Sequence, residues 1–186
     1  MRFPARFFGG WTYADDLCAD PKLVATGYES GVPMGGDLPP RSDQDGAPRF
    51  VVSALRDAGT EASPGGQLER IQIVKGWIDD DGTPNQRIYD VAVAEDITGD
   101  VNLMTCAPAP GGTDSLCSVW TDPDFDPSRP AVYYVRVIER PSCRYSWRRC
   151  LAIPEADRPP TCDAQTIPKT VHERAWTSPI WYTPSS

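Results

Sequence analysis

The chain has 186 residues, with 18 basic and 26 acidic side chains and a net charge of −8 at pH 7. That negative surplus repels phosphate backbones and anionic lipid headgroups, which argues against nucleic acid as a partner. The length suits one domain able to bury a core, and 20 prolines with 15 glycines favour many short strands joined by turns.

From the N-terminus, Met1–Phe8 carries charge and aromatic rings but no apolar run ending in a small-residue cleavage site, so no signal peptide is expected there. No stretch approaches the roughly 20 apolar residues of a membrane helix, so no membrane span is expected either. Arg6–Trp11 reads as the first strand. Thr12–Leu23 is the best helical stretch, with Ala14–Leu17 able to form a turn or two before Pro21 stops it. Residues 31–47, rich in Pro, Gly and Asp, read as a long surface loop. Further strands are expected at Arg49–Leu55, Arg70–Trp77, Ile88–Val93, Ala131–Glu139 and Ile180–Tyr182, all rich in Val, Ile, Tyr or Trp. The turn formers in Asp79–Asn85 should fold Arg70–Asp79 and Gln86–Val93 into a hairpin. A second long loop is expected over 153–166. Short strands without alternating helices predict a mainly β fold: an irregular two-sheet β-sandwich with long Pro/Gly-rich loops and little helix, one β-rich domain over residues 1–186.

Six cysteines accompany a single histidine, and none of the spacings supplies the paired Cys-x-x-Cys knuckles of a zinc site. Disulfides are the better reading, and they point to an oxidising compartment. The pairing with the shortest loops joins Cys106 to Cys117 and Cys143 to Cys150, leaving Cys18 for Cys162.

Motifs that carry chemistry are sparse. Gly-x-Ser-x-Gly, the phosphate-binding Gly-x-x-x-x-Gly-Lys-Ser/Thr loop and the dinucleotide turn are absent from the sequence. His172, the one histidine, lies in a polar stretch and reads as a surface residue, so no catalytic residue and no metal ligand is assigned. Gly9-Gly10, Gly35-Gly36, Gly65-Gly66 and Gly111-Gly112 read most simply as turns. Gly35, Gly36 and Asp37 form a loop whose backbone can approach a ligand closely, since glycine lacks a Cβ. Asp79–Gly82 and Asp122–Pro127 are acidic clusters that invite calcium as a cofactor, although turn chemistry explains both more simply and neither has a complete twelve-residue calcium loop. Among the six tryptophans, Trp77, Trp176 and Trp181 fall in strand-like context and read as core. Trp147, among arginines, is the best exposed candidate to stack on a sugar, with an Arg–Trp cation–π contact as the simpler expectation.

Five segments, Arg6–Trp11, Gly31–Leu38, Arg70–Trp77, Asp122–Pro127 and Glu173–Tyr182, together resemble the bacterial domain-of-unknown-function family 3604 along essentially the whole chain, from Arg6 to Pro184. The resemblance implies a parent protein several-fold longer, exported to the periplasm or beyond, with an upstream region similar to a PHP-type metallohydrolase barrel. It implies that the metal-holding histidines and acids lie upstream of Met1, that none is carried over here, and that Met1–Ala5 stands in for the family's own preceding segment. The leading expectation is therefore a non-catalytic C-terminal β-domain that packs on that barrel, with the Gly35-Gly36-Asp37 loop facing it. The alternative is an independent binding module for carbohydrate or a cell-surface component.

Overall fold

The computed structural model describes residues 4–42, 46–61 and 63–184. Met1, Arg2 and Phe3 of the expected start, and residues 43–45 of the expected 31–47 loop, lie outside them. In chain order the elements are β1 (Ala5–Gly10), α1 (Leu23–Glu29), β2 (Gly31–Pro33), β3 (Arg49–Leu55), β4 (Gly59–Thr60), β5 (Ser63–Pro64), β6 (Leu68–Ile78), β7 (Pro84–Val93), β8 (Ser115–Thr121), β9 (Ala131–Glu139), β10 (Ser142–Cys143), α2 (Tyr145–Leu151), β11 (Thr170–Val171), β12 (Arg174–Trp176) and β13 (Ile180–Tyr182).

Two antiparallel sheets carry the fold, a four-stranded one in the order β2-β1-β3-β8 and a five-stranded one in the order β12-β9-β6-β7, with β13 also paired to β9. The hairpin of β6 and β7 forms at the expected place, with a bulge at Ile71/Gln72. Alternation decides which face each residue takes. Along β9, Ala131, Tyr133, Val135, Val137 and Glu139 are buried while the residues between them are half-exposed. The buried set meets Phe7, Phe50, Val52, Leu68, Ile71, Ile73 and Ile180 between the sheets, which makes the molecule the mainly β sandwich expected.

Both lateral edges are stitched. Tyr89 of β7 packs on Trp120 of β8 with ring centroids 4.7 Å apart. On the other side the chain after β2 runs along β13, where Leu38 donates to the Trp181 carbonyl and Trp181 to that of Gly36. The outer face of the four-stranded sheet is covered by residues 13–24, with Phe8 and Val51 packing on Tyr13, Leu17, Leu23 and Val24. Neither helix packs on the outer face of the five-stranded sheet.

The expected 31–47 loop is shorter than its composition implies, because Gly31–Pro33 pairs with β1 and Asp37 bridges to Trp181. Over 153–166 the chain is irregular apart from two short 3-10 turns, as a loop should be. Over Thr12–Leu23 the chain makes the expected turn ahead of Pro21, with the Leu17 N–H donating to the Ala14 carbonyl and a short 3-10 helix at Leu17–Ala19, and the α-helix, α1, begins only after Pro21. Gly9-Gly10 is strand and not turn; a Cβ on Gly10 would lie 2.7 Å from the Ser30 carbonyl, so close packing requires the glycine.

All six cysteines are in disulfides, but the pairing is Cys18–Cys117, Cys106–Cys143 and Cys150–Cys162, not Cys106–Cys117, Cys143–Cys150 and Cys18–Cys162. Short loops close easily in an unfolded chain, yet the folded positions decide. Cys117 lies on β8, where with Cys18 it packs on the covering layer, whereas Cys106, Cys143, Cys150 and Cys162 gather around Trp147 and Val101 in a separate small cluster.

Candidate functional site

The sequence singled out Gly35, Gly36, Asp37, the two acidic clusters, His172 and Trp147, and the fold treats them differently. His172 is exposed between β11 and β12. Trp147 is buried rather than exposed, because Tyr145–Leu151 forms α2 and turns the indole into the disulfide cluster, where its N–H donates to the Leu103 carbonyl at 2.8 Å. The cation over its ring is Lys169, 3.9 Å from the centroid, and not an arginine. Trp176 and Trp181, read as core, are 60% and 49% exposed, because each occupies an outward position of its strand. Gly35 turns the chain with φ +92° and donates to the Pro179 carbonyl. Asp37 lies directly opposite Trp181, so the two exposed side chains stand on the same face.

The two acidic clusters come together at one end of the sandwich. Asp79 ends the β6 hairpin arm and accepts from the Trp77 indole at 3.0 Å, from Asn85 at 2.6 Å and from Arg129 at 2.9 Å. Asp122, fully buried after β8, pairs with the Lys75 ammonium at 2.6 Å and accepts from the Tyr133 hydroxyl at 2.8 Å. Its other oxygen accepts from the Asp124 N–H at 3.0 Å. Lys75 also donates to the Asp124 carbonyl at 2.6 Å. The Asp124 carboxylate accepts from Arg87 at 2.8 Å and Tyr89 at 2.6 Å. Burial, then the bond to Asp124, pushes the Tyr89 hydroxyl well above its usual range, and burial beside Asp122 does the same to Tyr133. Both phenols stay protonated and serve as donors.

These carboxylates are thus neutralised by Lys75, Arg87 and Arg129, and among the described residues no three His, Cys, Asp or Glu side chains converge as a metal site would require. Lys75, Arg87, Arg129 and the two tyrosines were not singled out from the sequence. The usable signal was Lys75 itself, a charge at an inward position of a strand that otherwise sends Ile71, Ile73 and Trp77 inward.

Above this network lies a pocket of about 160 Å³ lined by Lys75, Trp77, Arg87, Asp124, Arg129 and Pro130, among others. Next to it, Trp77, Ile78, Pro84, Val132 and Trp181 line a wider, mainly apolar hollow of about 410 Å³ that leads onto the outer face of the five-stranded sheet. Strand register places Trp176, Tyr134, Val132, Val74, Ile88 and Trp181 on that face.

No curated protein and no solved structure matches the chain. A family model does match, over residues 1–184, and the chain belongs to the family described as a protein of unknown function, DUF3604.

Proposed function

We propose that this chain is a non-catalytic docking domain that packs on, and stabilises, an upstream PHP-like metallohydrolase barrel of an exported parent protein. The observation that carries the reading is the group of large apolar side chains exposed on the outer face of the five-stranded sheet. Trp176, Trp181, Ile78 and Ile88 are all well exposed there, around Val132 and Tyr134. Large apolar side chains grouped on an uncovered sheet face are characteristic of a surface that another protein body covers. Asp37 beside Trp181 extends the same face to the Gly35-Gly36-Asp37 loop, which gives the apolar centre a polar rim. Three disulfides suit an exported protein. No helix among the described residues is long and apolar enough to cross a membrane.

The test begins with the reading frame upstream of the Met1 codon, which should encode a His/Asp-rich barrel. That barrel, produced as a separate polypeptide, should bind this chain in sedimentation experiments, and the double variant Trp176→Asp/Trp181→Asp should abolish binding without lowering the Tm of the chain alone. A stop codon close upstream, or a barrel indifferent to the two substitutions, sinks the reading.

A further inference from the structure

We propose that the pocket over Lys75 binds a single ring of a neutral sugar, with Trp77 as the stacking wall. Lys75 is the reason to look there. Its side chain is 6% exposed, and of its three ammonium protons one goes to Asp122 and one to the Asp124 carbonyl. Its Nζ also lies 5.7 Å from the centre of the Trp77 ring and 5.9 Å from that of Tyr133, and Lys75 lines the pocket. The pocket floor is thus a cation already held by an aspartate, beside an aromatic wall.

The other lining residues define the ligand. Trp77 is fixed by its indole hydrogen bond to Asp79, so its ring is held in place as a flat apolar surface. Pro130, Ala131 and Phe125 add apolar lining. Arg87 and Arg129 offer donors, and Asp124 and Asp126 offer acceptors. A ligand must therefore donate and accept around its edge while presenting an apolar face, which describes the hydroxyls and C–H face of a pyranose. Charge argues for a neutral sugar, because Lys75, Arg87 and Arg129 are each already paired with an aspartate. The volume of about 160 Å³ admits one ring, well below the roughly 300–1,000 Å³ of sites that take drug-sized ligands.

Trp176 does not line the pocket, whereas Trp181 borders the neighbouring hollow, which shares Trp77, Pro130 and Ala131 with it. The experiment titrates the isotopically labelled chain with glucose, galactose, mannose and N-acetylglucosamine, using glucuronate and sulfate as charged controls. It follows the backbone amides of Lys75, Asp126 and Ala131. At least one neutral sugar should give a saturable shift with a millimolar dissociation constant, weakened about tenfold or more in Trp77→Leu and unchanged in Trp176→Ser. Arg87→Ala, a change at an exposed side chain on the same pocket, should weaken it too and serves as the reading if Trp77→Leu fails to fold. Absence of saturable shifts from every neutral sugar, response to the charged controls alone, or equal binding by the Trp77 and Arg87 variants overturns the proposal.

Discussion

Lys75 stands where the alternation of β6 demands an apolar side chain, and Asp122 stands opposite it at the end of β8. The buried pair is satisfied on every side by Tyr133 and by backbone groups of the Asp122–Asp124 turn. Removing one partner leaves a charge with no solvent and no counterion. Lys75→Met and Asp122→Asn should each destabilise the chain by roughly 3–5 kcal/mol in urea unfolding, and the double variant should recover much of that loss. Glu139 presents the opposite case. It is buried with one carboxylate oxygen unpartnered, and burial, then Glu173 and Asp57, push its pKa from 4.5 up to about 7. The folded chain thus holds this proton more tightly than the unfolded one, so stability falls as pH rises from about 4.5 to about 7 and stays reduced above. Glu139→Gln should raise the stability by about 1–3 kcal/mol at pH 8 and leave it unchanged near pH 4 in thermal melts.

At the level of elements, the disulfides act on different parts of the fold. Cys18–Cys117 spans 99 residues and ties the layer that covers Phe8 and Val51 to an edge strand. Cys150–Cys162 spans 12 residues and ties the end of α2 to the loop that follows it. Chain entropy makes the long crosslink worth nearly 5 kcal/mol and the short one roughly 3 kcal/mol. Replacing Cys18 and Cys117 with alanine should accordingly lower the Tm more than the same change at Cys150 and Cys162, as calorimetry of the two double variants would register. The strands themselves were largely legible. β3, β9 and β13 fall at their expected residues, since runs rich in Val, Ile, Phe and Tyr favour an extended chain, and β3 is buried on both faces, with Phe50 and Val52 between the sheets and Val51 under the covering layer. β8 was not, because Ser115-Leu116-Cys117-Ser118-Val119-Trp120-Thr121 mixes polar and apolar residues without a clear period and becomes a strand only against β3. α2 was hidden for a similar reason: two disulfides and a buried Trp147 hold a seven-residue helix that has little stability of its own.

Over the whole molecule, the two sheets are treated unequally. One has its outer face covered by residues 13–24, while the other carries Trp176 and Trp181 on an outer face that neither helix covers. Both tryptophans sit in strand-like sequence, and hydrophobicity alone assigns such residues to a core. Which face of a strand looks inward depends on the register with its neighbours, and Trp176 and Trp181 alternate with Ala175, Ile180 and Tyr182, which take the inward positions. The sequence by itself determined the class of fold, the main hairpin, the presence of disulfides and the family, because each rests on local periodicity, turn chemistry, composition or ordered motifs. Tertiary structure alone decided the disulfide partners, the burial of Trp147, the exposure of Trp176 and Trp181, and the meeting of Asp79, Asp122 and Asp124 with Lys75, Arg87 and Arg129. Each of these depends on distances between residues far apart in the chain, which strand pairing and packing set and local sequence does not encode.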